Sequence, residues 1–397
     1  MKALCVGIGG YGQQYVRTLF ELEEELDVNI TGTVDPAPER SSLLPDLEDR
    51  GVPICGSMEE FYAEHDADAA FIASPIQFHV PQSLRALSHG THVLCEKPLC
   101  ATIQDARQAV RAHSDSGLRF GVGYQWSFCR VVQDLKRDIR DGVLGAPKRL
   151  SCLVLWPRTE GYYGRNSWAG ALKDAQGRWV LDSPVNNATA HFLHNMFYLL
   201  GDERRASAVP VEVTGELYRA NDIQNYDTAA LRARTEGGVE VRFYSSHAPR
   251  EQAGPVSRYE FENATVTSKS MNSPFVAQFA DGTEKSYGAP DHSAEPKVRQ
   301  FLDAVRGGDP VACGPEAASA QTLCMNGLQE SAQIVPFPDD IVRVEENDDD
   351  RRRYVEGLGD VLTRCFEQSA LPAELDVPWS RAGRTVDLAG YARFPRA

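Results

Sequence analysis

The stretch Ala3-Leu4-Cys5-Val6-Gly7-Ile8-Gly9-Gly10-Tyr11-Gly12 decides the fold of the first part of this chain. Its four leading apolar residues predict a buried strand, and a G-x-G-x-x-G pattern follows at once, before an amphipathic helical stretch. Gly7 permits a tight turn, Gly9 lets the backbone approach a pyrophosphate, and Gly12 lets helix and strand pack closely. The stretch therefore predicts a dinucleotide-binding unit in which helix N–H groups face the phosphates.

A carboxylate at the end of the second predicted strand bears on the choice of dinucleotide. This strand, Val28–Val34, ends at Asp35, which lies 23 residues after Gly12. A carboxylate there accepts hydrogen bonds from both ribose hydroxyls of NAD and repels the 2′-phosphate of NADP. Arg40 lies close in sequence and would favour NADP instead. The sequence predicts NAD as the cofactor, with NADP less favoured.

The order of strand and helix patterns changes along the chain. They alternate as far as Phe120–Tyr124, which predicts a parallel sheet with helices on both faces. After about residue 147, strand patterns follow one another, interrupted by a helix at about His191–Leu200, and predict a mostly antiparallel sheet. We therefore divide the chain into a dinucleotide-binding domain (1–125), a substrate and oligomerisation domain (126–340) and a partly helical C-terminal extension (341–397). The charge-dense stretch Glu345–Arg353 is interpreted as a solvated face or linker.

Composition narrows the class of protein. With 397 residues, 42% hydrophobic and 24% charged, the chain has ordinary globular usage. A net charge of −15 argues against nucleic-acid binding. No apolar run approaches the ~20 residues that span a bilayer, and the N-terminus lacks the pattern of a signal peptide, so a cytoplasmic protein is expected. The nine cysteines are odd in number and form no C-x-x-C pair, so neither disulfides nor a metal site is expected.

Two further segments, Ala73-Ser74-Pro75-Ile76-Gln77-Phe78-His79 and Glu96-Lys97-Pro98, combine with the Gly7–Gly12 loop. Together they resemble the Gfo/Idh/MocA family of oxidoreductases, whose corresponding segments read A-T-P-x-x-x-H and E-K-P. The resemblance covers roughly residues 1–335. It implies a Rossmann domain followed by an α+β domain with a large, open, mostly antiparallel sheet, a nicotinamide cofactor, and a sugar, cyclitol or related polyol as substrate. Because an open sheet face needs covering, a homodimer or homotetramer is expected.

The resemblance also implies the catalytic residues. Lys97 would lie at the reacting hydroxyl beside the nicotinamide, where its ammonium holds the developing alkoxide. The family segment D-x-x-x-H-x-x-D corresponds to Asn187–His194. His191 takes the position of the catalytic histidine, whereas Asn187 and His194 stand where acids are usual. On a helix these three side chains would share one face. Since an amide stabilises an imidazolium less than a carboxylate does, His191 is expected to be a weaker base here. Asp182 is a nearby carboxylate that the sequence alone does not place.

The remaining candidates fall into two sets. The residues predicted to bind the cofactor are Gly7, Gly9, Gly10, Tyr11, Gly12, Asp35, Ser74, Pro75, His79, Glu96 and Lys97. The residues predicted to bind the substrate are Tyr124, Gln125, Arg158, Tyr162, Tyr163, Asn166, Trp168 and His194. Most of the second set lie in a loop rich in aromatic residues, Arg and Asn, whose rings stack on sugar C–H faces and whose polar groups bind hydroxyls. The alternative for each aromatic ring is packing in the core.

The sequence thus predicts an NAD(P)-dependent oxidoreductase that transfers a hydride between nicotinamide and a hydroxyl-bearing carbon of a sugar, cyclitol or related polyol. Two alternatives stay open. One is an NAD-using glycosidase or epimerase of the same family, in which hydride transfer is transient. The other is a non-catalytic nucleotide-binding sensor or regulator. Lys97 and His191 argue against the sensor, because a pure binder needs neither. Neither a nucleic acid nor a membrane is expected as a partner.

Overall fold

A computed structural model of the protein describes residues 1–347 and 350–396, which form two compact units. The first unit comprises residues 1–100, 104–129 and 291–319. The second comprises residues 101–103, 130–290 and the described residues from 320 onward. The chain therefore returns to the first unit after completing most of the second, and nothing in the sequence signals this return.

The first unit is built on a six-stranded sheet whose order is β3-β2-β1-β4-β5-β6 and whose neighbouring strands are all parallel. Its strands are β1 (Lys2–Val6), β2 (Asn29–Val34), β3 (Ile54–Cys55), β4 (Ala69–Ile72), β5 (His92–Cys95) and β6 (Phe120–Val122). Its helices are α1 (Gly12–Glu21), α2 (Leu44–Asp49), α3 (Met58–Glu64), α4 (Ile76–Ser88), α5 (Ile103–Ser116) and the returning α9 (Glu295–Val305). The predicted parallel sheet is confirmed, and the glycine loop follows β1 where the strand order reverses, the position at which such sheets bind ligands.

The second unit contains a larger sheet of order β14-β13-β12-β11-β7-β10-β9-β8-β15, with β18 paired to β8. Its strands are β7 (Pro147–Leu155), β8 (Pro210–Arg219), β9 (Thr228–Thr235), β10 (Glu240–Ser246), β11 (Ala253–Phe261), β12 (Ala264–Ser268), β13 (Phe275–Phe279), β14 (Glu284–Gly288), β15 (Ile334–Pro336) and β18 (Val386–Asp387). The neighbours are antiparallel except for β10 with β7 and β15 with β8, so the mostly antiparallel sheet is confirmed.

The second unit also contains helices. They are α6 (Arg130–Arg140), the short α7 (Glu160–Gly164), α8 (Ala190–Leu199), α10 (Pro315–Ser331) and α11 (Leu358–Gln368). The apolar side chains of α11 join one buried cluster with Leu153 and Leu155 of β7 and Tyr244 of β10. The C-terminal extension therefore covers apolar sheet surface with residues of the same chain. The homodimer or homotetramer expected from an open sheet face stays a prediction.

The charge-dense stretch Glu345–Arg353, interpreted as a solvated face or linker, is not a linker in its described residues, although Glu346 and Arg351 are exposed as on a solvated face. It forms a β-hairpin of β16 (Val342–Asn347) and β17 (Asp350–Val355). In its register, Glu345 faces Arg352 and Glu346 faces Arg351 across the two strands. Opposite charges on directly facing strand positions stabilise such pairing, which explains why a charged stretch is ordered here. Among the described residues no helix is long and apolar enough to cross a membrane.

Candidate active site

The glycine loop forms an open cradle in the first unit. Gly7 has φ = 79°, and a Cβ there would lie 2.8 Å from the Ser74 nitrogen. A Cβ on Gly12 would overlap the carbonyl of Gly7, so neither position accepts a side chain. At Gly9, by contrast, the nearest atom to an added Cβ would be 3.6 Å away, and at Gly10 nothing lies within 4 Å. Two glycines thus make the turn, and the other two leave the main chain accessible to a phosphate.

Asp35 lies beside this cradle. Its carboxylate accepts hydrogen bonds from the main-chain N–H of Ile8 at 2.8 Å and of Ala37 at 2.9 Å. It is partly exposed, so its oxygens remain accessible to ribose hydroxyls. The Cβ of Arg40 is the atom nearest to a Cβ added at Gly9. Arg40, the residue that would favour NADP, therefore lies beside the same cradle as Asp35.

His79 connects the two other motif segments. One ring nitrogen lies 2.7 Å from the Ser74 carbonyl oxygen, and the other lies 2.7 Å from the Pro98 carbonyl oxygen. Burial lowers the pKa of His79. The ring therefore holds the loop at Ser74 and Pro75 against the segment that carries Lys97. Lys97 itself is partly exposed.

Glu96 belongs to a buried cluster that the sequence analysis did not anticipate. Tyr15 donates to its carboxylate at 2.6 Å, and the fully buried ammonium of Lys297, on α9, forms an ion pair with the same oxygen. Lys297 also donates to the Tyr11 hydroxyl at 3.1 Å. Burial opposes the charge on Lys297, but Glu96 outweighs it and raises the pKa of Lys297. A lysine on a helix so far along the chain carries no sequence signal of this role.

The two substrate candidates at the end of β6 differ in accessibility. The Tyr124 side chain is buried in the first unit. Gln125 is partly exposed and accepts a hydrogen bond from the Tyr11 hydroxyl at 3.3 Å. The structure therefore brings Gln125, but not the ring of Tyr124, to the surface next to the glycine loop.

In the second unit, the loop predicted to bind the substrate contains α7. The guanidinium groups of Arg158 and Arg165 lie 4.8 Å and 3.6 Å from the centroid of the Tyr162 ring. Asn166 uses its side-chain oxygen locally, accepting from the N–H groups of Trp168 and Ala169 at 3.1 Å and 2.7 Å. The loop is therefore ordered by its own cation–π contacts and turn.

The C-terminal hairpin contacts this loop. Asp350 accepts a hydrogen bond from the N–H of Gly161 at 3.0 Å, and Glu160 lies 3.3 Å from Arg353 and 3.7 Å from Arg351. A cavity of about 470 Å³ opens beside α7, lined in part by Tyr163 and the two arginines. This volume lies within the range of small-molecule sites.

His247, directly after β10, is a second residue that the sequence analysis missed. It is buried, and its Nδ1 lies 2.8 Å from the Trp156 carbonyl oxygen. Burial and the charges of Arg158 and Arg165 lower the pKa of His247 to about 3. The neutral ring therefore donates from Nδ1 and keeps Nε2 as an acceptor next to the Tyr162 ring.

The segment around His191 is not one continuous α-helix, contrary to the expectation. Pro184–Ala188 forms a π-helical turn, and α8 begins at Ala190. Asn187 lies on the turn and His191 on the helix, and both are partly exposed. His194 is fully buried and stacks on Tyr198 with ring centroids 5.7 Å apart. Burial, with the charge of Lys136, lowers the pKa of His194 to about 3, as in a core histidine.

Asp182 lies behind Asn187. Its Oδ1 accepts a hydrogen bond from the Asn187 amide at 2.7 Å, and its Oδ2 accepts one from the N–H of Gly170 at 2.6 Å. The residue is 3% exposed. Asp182, whose position the sequence analysis did not predict, is thus a buried hydrogen-bond partner of Asn187.

Comparison with known proteins identifies the first domain. Residues 1–124 match the family model GFO_IDH_MocA, described as oxidoreductase family, NAD-binding Rossmann fold. The predicted resemblance and NAD-binding domain are thereby confirmed for this part of the chain.

Characterised proteins that are similar to this chain share about 30% of residues with it over part of its length. A 1,5-anhydro-D-fructose reductase of Ensifer adhaerens is 31% identical over 143 residues, which are 35% of this chain and 41% of that protein. A 2,7-anhydro-N-acetylneuraminate hydratase of Mediterraneibacter gnavus is 29% identical over 209 residues, 53% of this chain and 50% of that protein. An inositol 2-dehydrogenase of Burkholderia cenocepacia is 28% identical over 208 residues, which are 51% of this chain and 56% of that protein. The chain therefore spans about half the length of these relatives.

A solved structure extends the likeness of the fold. The WlbA dehydrogenase of Bordetella pertussis, solved in complex with NADH and UDP-GlcNAcA, superposes with a TM-score of 0.69 at 18% identity. The superposition covers 83% of this chain and 94% of that one. At this identity the likeness shows the fold, and it includes the second unit.

Proposed function

We propose that this chain, whose residues 1–124 match the Gfo/Idh/MocA family model, is an NAD-dependent oxidoreductase acting on a hydroxyl-bearing carbon of a sugar, cyclitol or related polyol. The observation that carries the proposal is the open glycine cradle beside Asp35, in the same unit as the partly exposed Lys97. The reductase and dehydrogenase relatives support this substrate class. The nine buried thiols suit the cytoplasm, where thiols stay reduced.

The residues present fit NAD. The main chain at Gly9 and Gly10 would hold the pyrophosphate, and Asp35 would bind the adenosine ribose. When bound, the nicotinamide supplies a hydride acceptor. Lys97 donates a hydrogen bond to the reacting hydroxyl and stabilises the alkoxide by charge. In the second unit, His191 is the candidate base for oxidation, because a base must be unprotonated to accept the proton of an alcohol.

A second candidate is a reaction with transient hydride transfer, and the hydratase relative favours it, because adding water changes no overall oxidation state. Incubation with NAD and a panel of sugars, anhydrosugars and inositols, followed by absorbance at 340 nm and product analysis, separates the two. Net NADH supports the dehydrogenase, and product without NADH supports the alternative. NAD binding without any product would favour the sensor or regulator.

Substitution of Gly9 by alanine tests the cradle without requiring a substrate. A Cβ there meets no atom closer than 3.6 Å, so the fold should be retained, but it would occupy the space of the phosphate. We expect NAD affinity in calorimetric titration to fall by about tenfold or more, that is ~1.4 kcal/mol or more. Gly237→Ala, in a hairpin turn of the second unit, is the matched control and should bind like wild type. Unchanged affinity in Gly9→Ala would contradict the assignment of the cradle.

The cofactor preference is tested at Asp35. Wild type should bind NAD more tightly than NADP, because the Asp35 carboxylate repels the 2′-phosphate. Asp35→Ala should weaken NAD binding and strengthen NADP binding in the same titration. Arg40→Ala is the control and should lower only the affinity for NADP. Equal affinities in wild type would mean that Arg40 dominates at this site.

A further inference from the structure

The carboxylate of Asp182 is held on two sides. Gly170 donates from its main chain to one oxygen at 2.6 Å, and the Asn187 amide donates to the other at 2.7 Å. The Asp182 carbonyl accepts from the side chain of Asn225 at 3.0 Å. Leu181, directly before Asp182, has φ = 50°, a strained conformation for a non-glycine residue. Such strain persists only where the surroundings fix the backbone firmly, and it is concentrated at functional sites.

This contact settles the orientation of the Asn187 amide. A carboxylate can only accept hydrogen bonds, so the amide must turn its Nδ2 toward Asp182. Its Oδ1 therefore points away from Asp182. Asp182 is almost completely buried, whereas Asn187 and His191 are partly exposed. Asn187 and His191 are therefore partly accessible to solvent, although the Nδ1 of His191 is buried, whereas the carboxylate of Asp182 is not accessible.

We propose that Asp182 is a positioning residue that fixes Asn187 so that position 187 presents an oxygen acceptor to the His191 imidazole. The proposal rests on the proposed function. The oxygen is polarised by the anion hydrogen-bonded to the same amide, because linked hydrogen bonds strengthen one another. Two residues thereby supply what the family resemblance assigns to one aspartate: an acceptor that orients the imidazole and a negative charge close behind it.

Three phenols and two guanidinium groups lie in the surroundings of Asp182. Tyr162 and Tyr163 of α7, and Tyr226 before β9, approach it. Burial is the largest cause that raises the pKa of all three phenols, and the charge of Asp182 adds to it. Arg158 and Arg165 bring fixed positive charges to Tyr162. Asp227 also acts on Tyr163, and burial raises the pKa of Asp227. Because all these groups are the same in wild type and in the variants at 182 and 187, a pH-dependent difference from wild type reports on these two positions or on His191.

Three variants test the proposal: Asp182→Asn, Asn187→Asp and the double exchange D182N/N187D. In Asp182→Asn, the side chain at 182 must offer its own Nδ2, so the Asn187 amide turns around and presents a donor instead of an acceptor. In Asn187→Asp, two carboxylates come into contact and share a proton at low pH. In the double exchange, the amide at 182 donates to a carboxylate at 187, and the acceptor is restored.

Stability against pH is the first measurement, and it needs no substrate. One carboxyl group of Asn187→Asp keeps its proton to higher pH in the folded state than in the unfolded state. The thermal unfolding midpoint of the Asn187→Asp variant should therefore be near that of wild type at pH 4. It should fall progressively below the wild-type midpoint as the pH rises to 8. The double exchange should follow wild type over the whole range. A pH-independent difference in Asn187→Asp would overturn the contact between the two residues.

The rate of NADH formation with the most active sugar of the panel is the second measurement. Asp182→Asn should lose about 10²-fold in kcat, as a misplaced catalytic group does. Its remaining activity should show an acidic limb at lower pH, because the negative charge near His191 is gone. The double exchange should recover the rate, with its acidic limb above that of wild type. A purely structural role predicts no rescue and no movement of the limb, and that result would overturn the proposal.

Failure of the proposed function gives a different result. If wild type forms no NADH and no product with any sugar, the proposed function is contradicted. The stability measurement then still decides whether Asp182 fixes Asn187. If wild type is active and Asp182→Asn retains full kcat with an unchanged pH profile, the proposed function stands and the role of Asp182 is wrong.

Discussion

Lys97→Ala should reduce kcat by about two orders of magnitude while NAD affinity stays close to that of wild type. The ammonium is assigned to the alkoxide that develops during hydride transfer, and removal of one such charge contact costs ~3 kcal/mol of transition-state stabilisation. The measurement is NADH formation at 340 nm with the most active sugar of the panel, together with calorimetric titration of NAD.

Lys97→Arg is the matched control, because it keeps the charge but changes its geometry. We expect it to retain more activity than Lys97→Ala and less than wild type. Near-full activity of Lys97→Ala would remove the E-K-P lysine from the reaction. A parallel loss of NAD affinity would instead assign Lys97 to cofactor binding, consistent with its place among the predicted cofactor-binding residues.

Lys297→Met should lower the free energy of unfolding by about 3–5 kcal/mol, because it leaves the buried carboxylate of Glu96 without its cation. Lys297 is completely buried, and its only carboxylate partner among the described ion pairs is Glu96. Urea denaturation of the full chain, followed by the fluorescence of its tryptophans, measures the change.

Glu96→Gln in the Lys297→Met background is the decisive comparison. It removes the uncompensated charge while its amide oxygen can still accept from Tyr15, so most of the lost stability should return. A double variant no more stable than Lys297→Met would show that Lys297 acts through packing or through Tyr11, and not as the counterion of Glu96. Such a result would leave the proposed reaction intact.

Local sequence patterns predicted the parts of this structure that depend on neighbouring residues. The G-x-G-x-x-G loop required a strand before it and a helix after it, and β1 and α1 lie there. The succession of strand patterns after about residue 147 corresponds to the strands of the second sheet, because each pattern depends on residues close in sequence. The same locality accounts for the predicted start of α8 near His191.

Contacts between distant residues were not predictable in this way. The pairing of Glu96 with Lys297 depends on where α9 returns, and no spacing rule links residues 201 positions apart. The sequence analysis placed Asn187 on the same helix as His191 and His194. In the structure Asn187 lies in the π-helical turn Pro184–Ala188, before that helix. The strand pairing within Glu345–Arg353 places glutamates opposite arginines. The stretch lacks apolar residues, so it does not show the alternation of apolar and polar residues by which a strand is usually predicted.

The return of α9 also has a consequence for the order in which the protein can fold during synthesis. A ribosome adds about 5–20 residues per second, so Lys297 emerges roughly 10–40 s after Glu96, from which it is separated by 201 positions. During that interval the nascent nucleotide-binding half has an acidic side chain that cannot be buried without its cation. The earliest domain to be synthesised is therefore completed late, when most of the second unit has already left the ribosome.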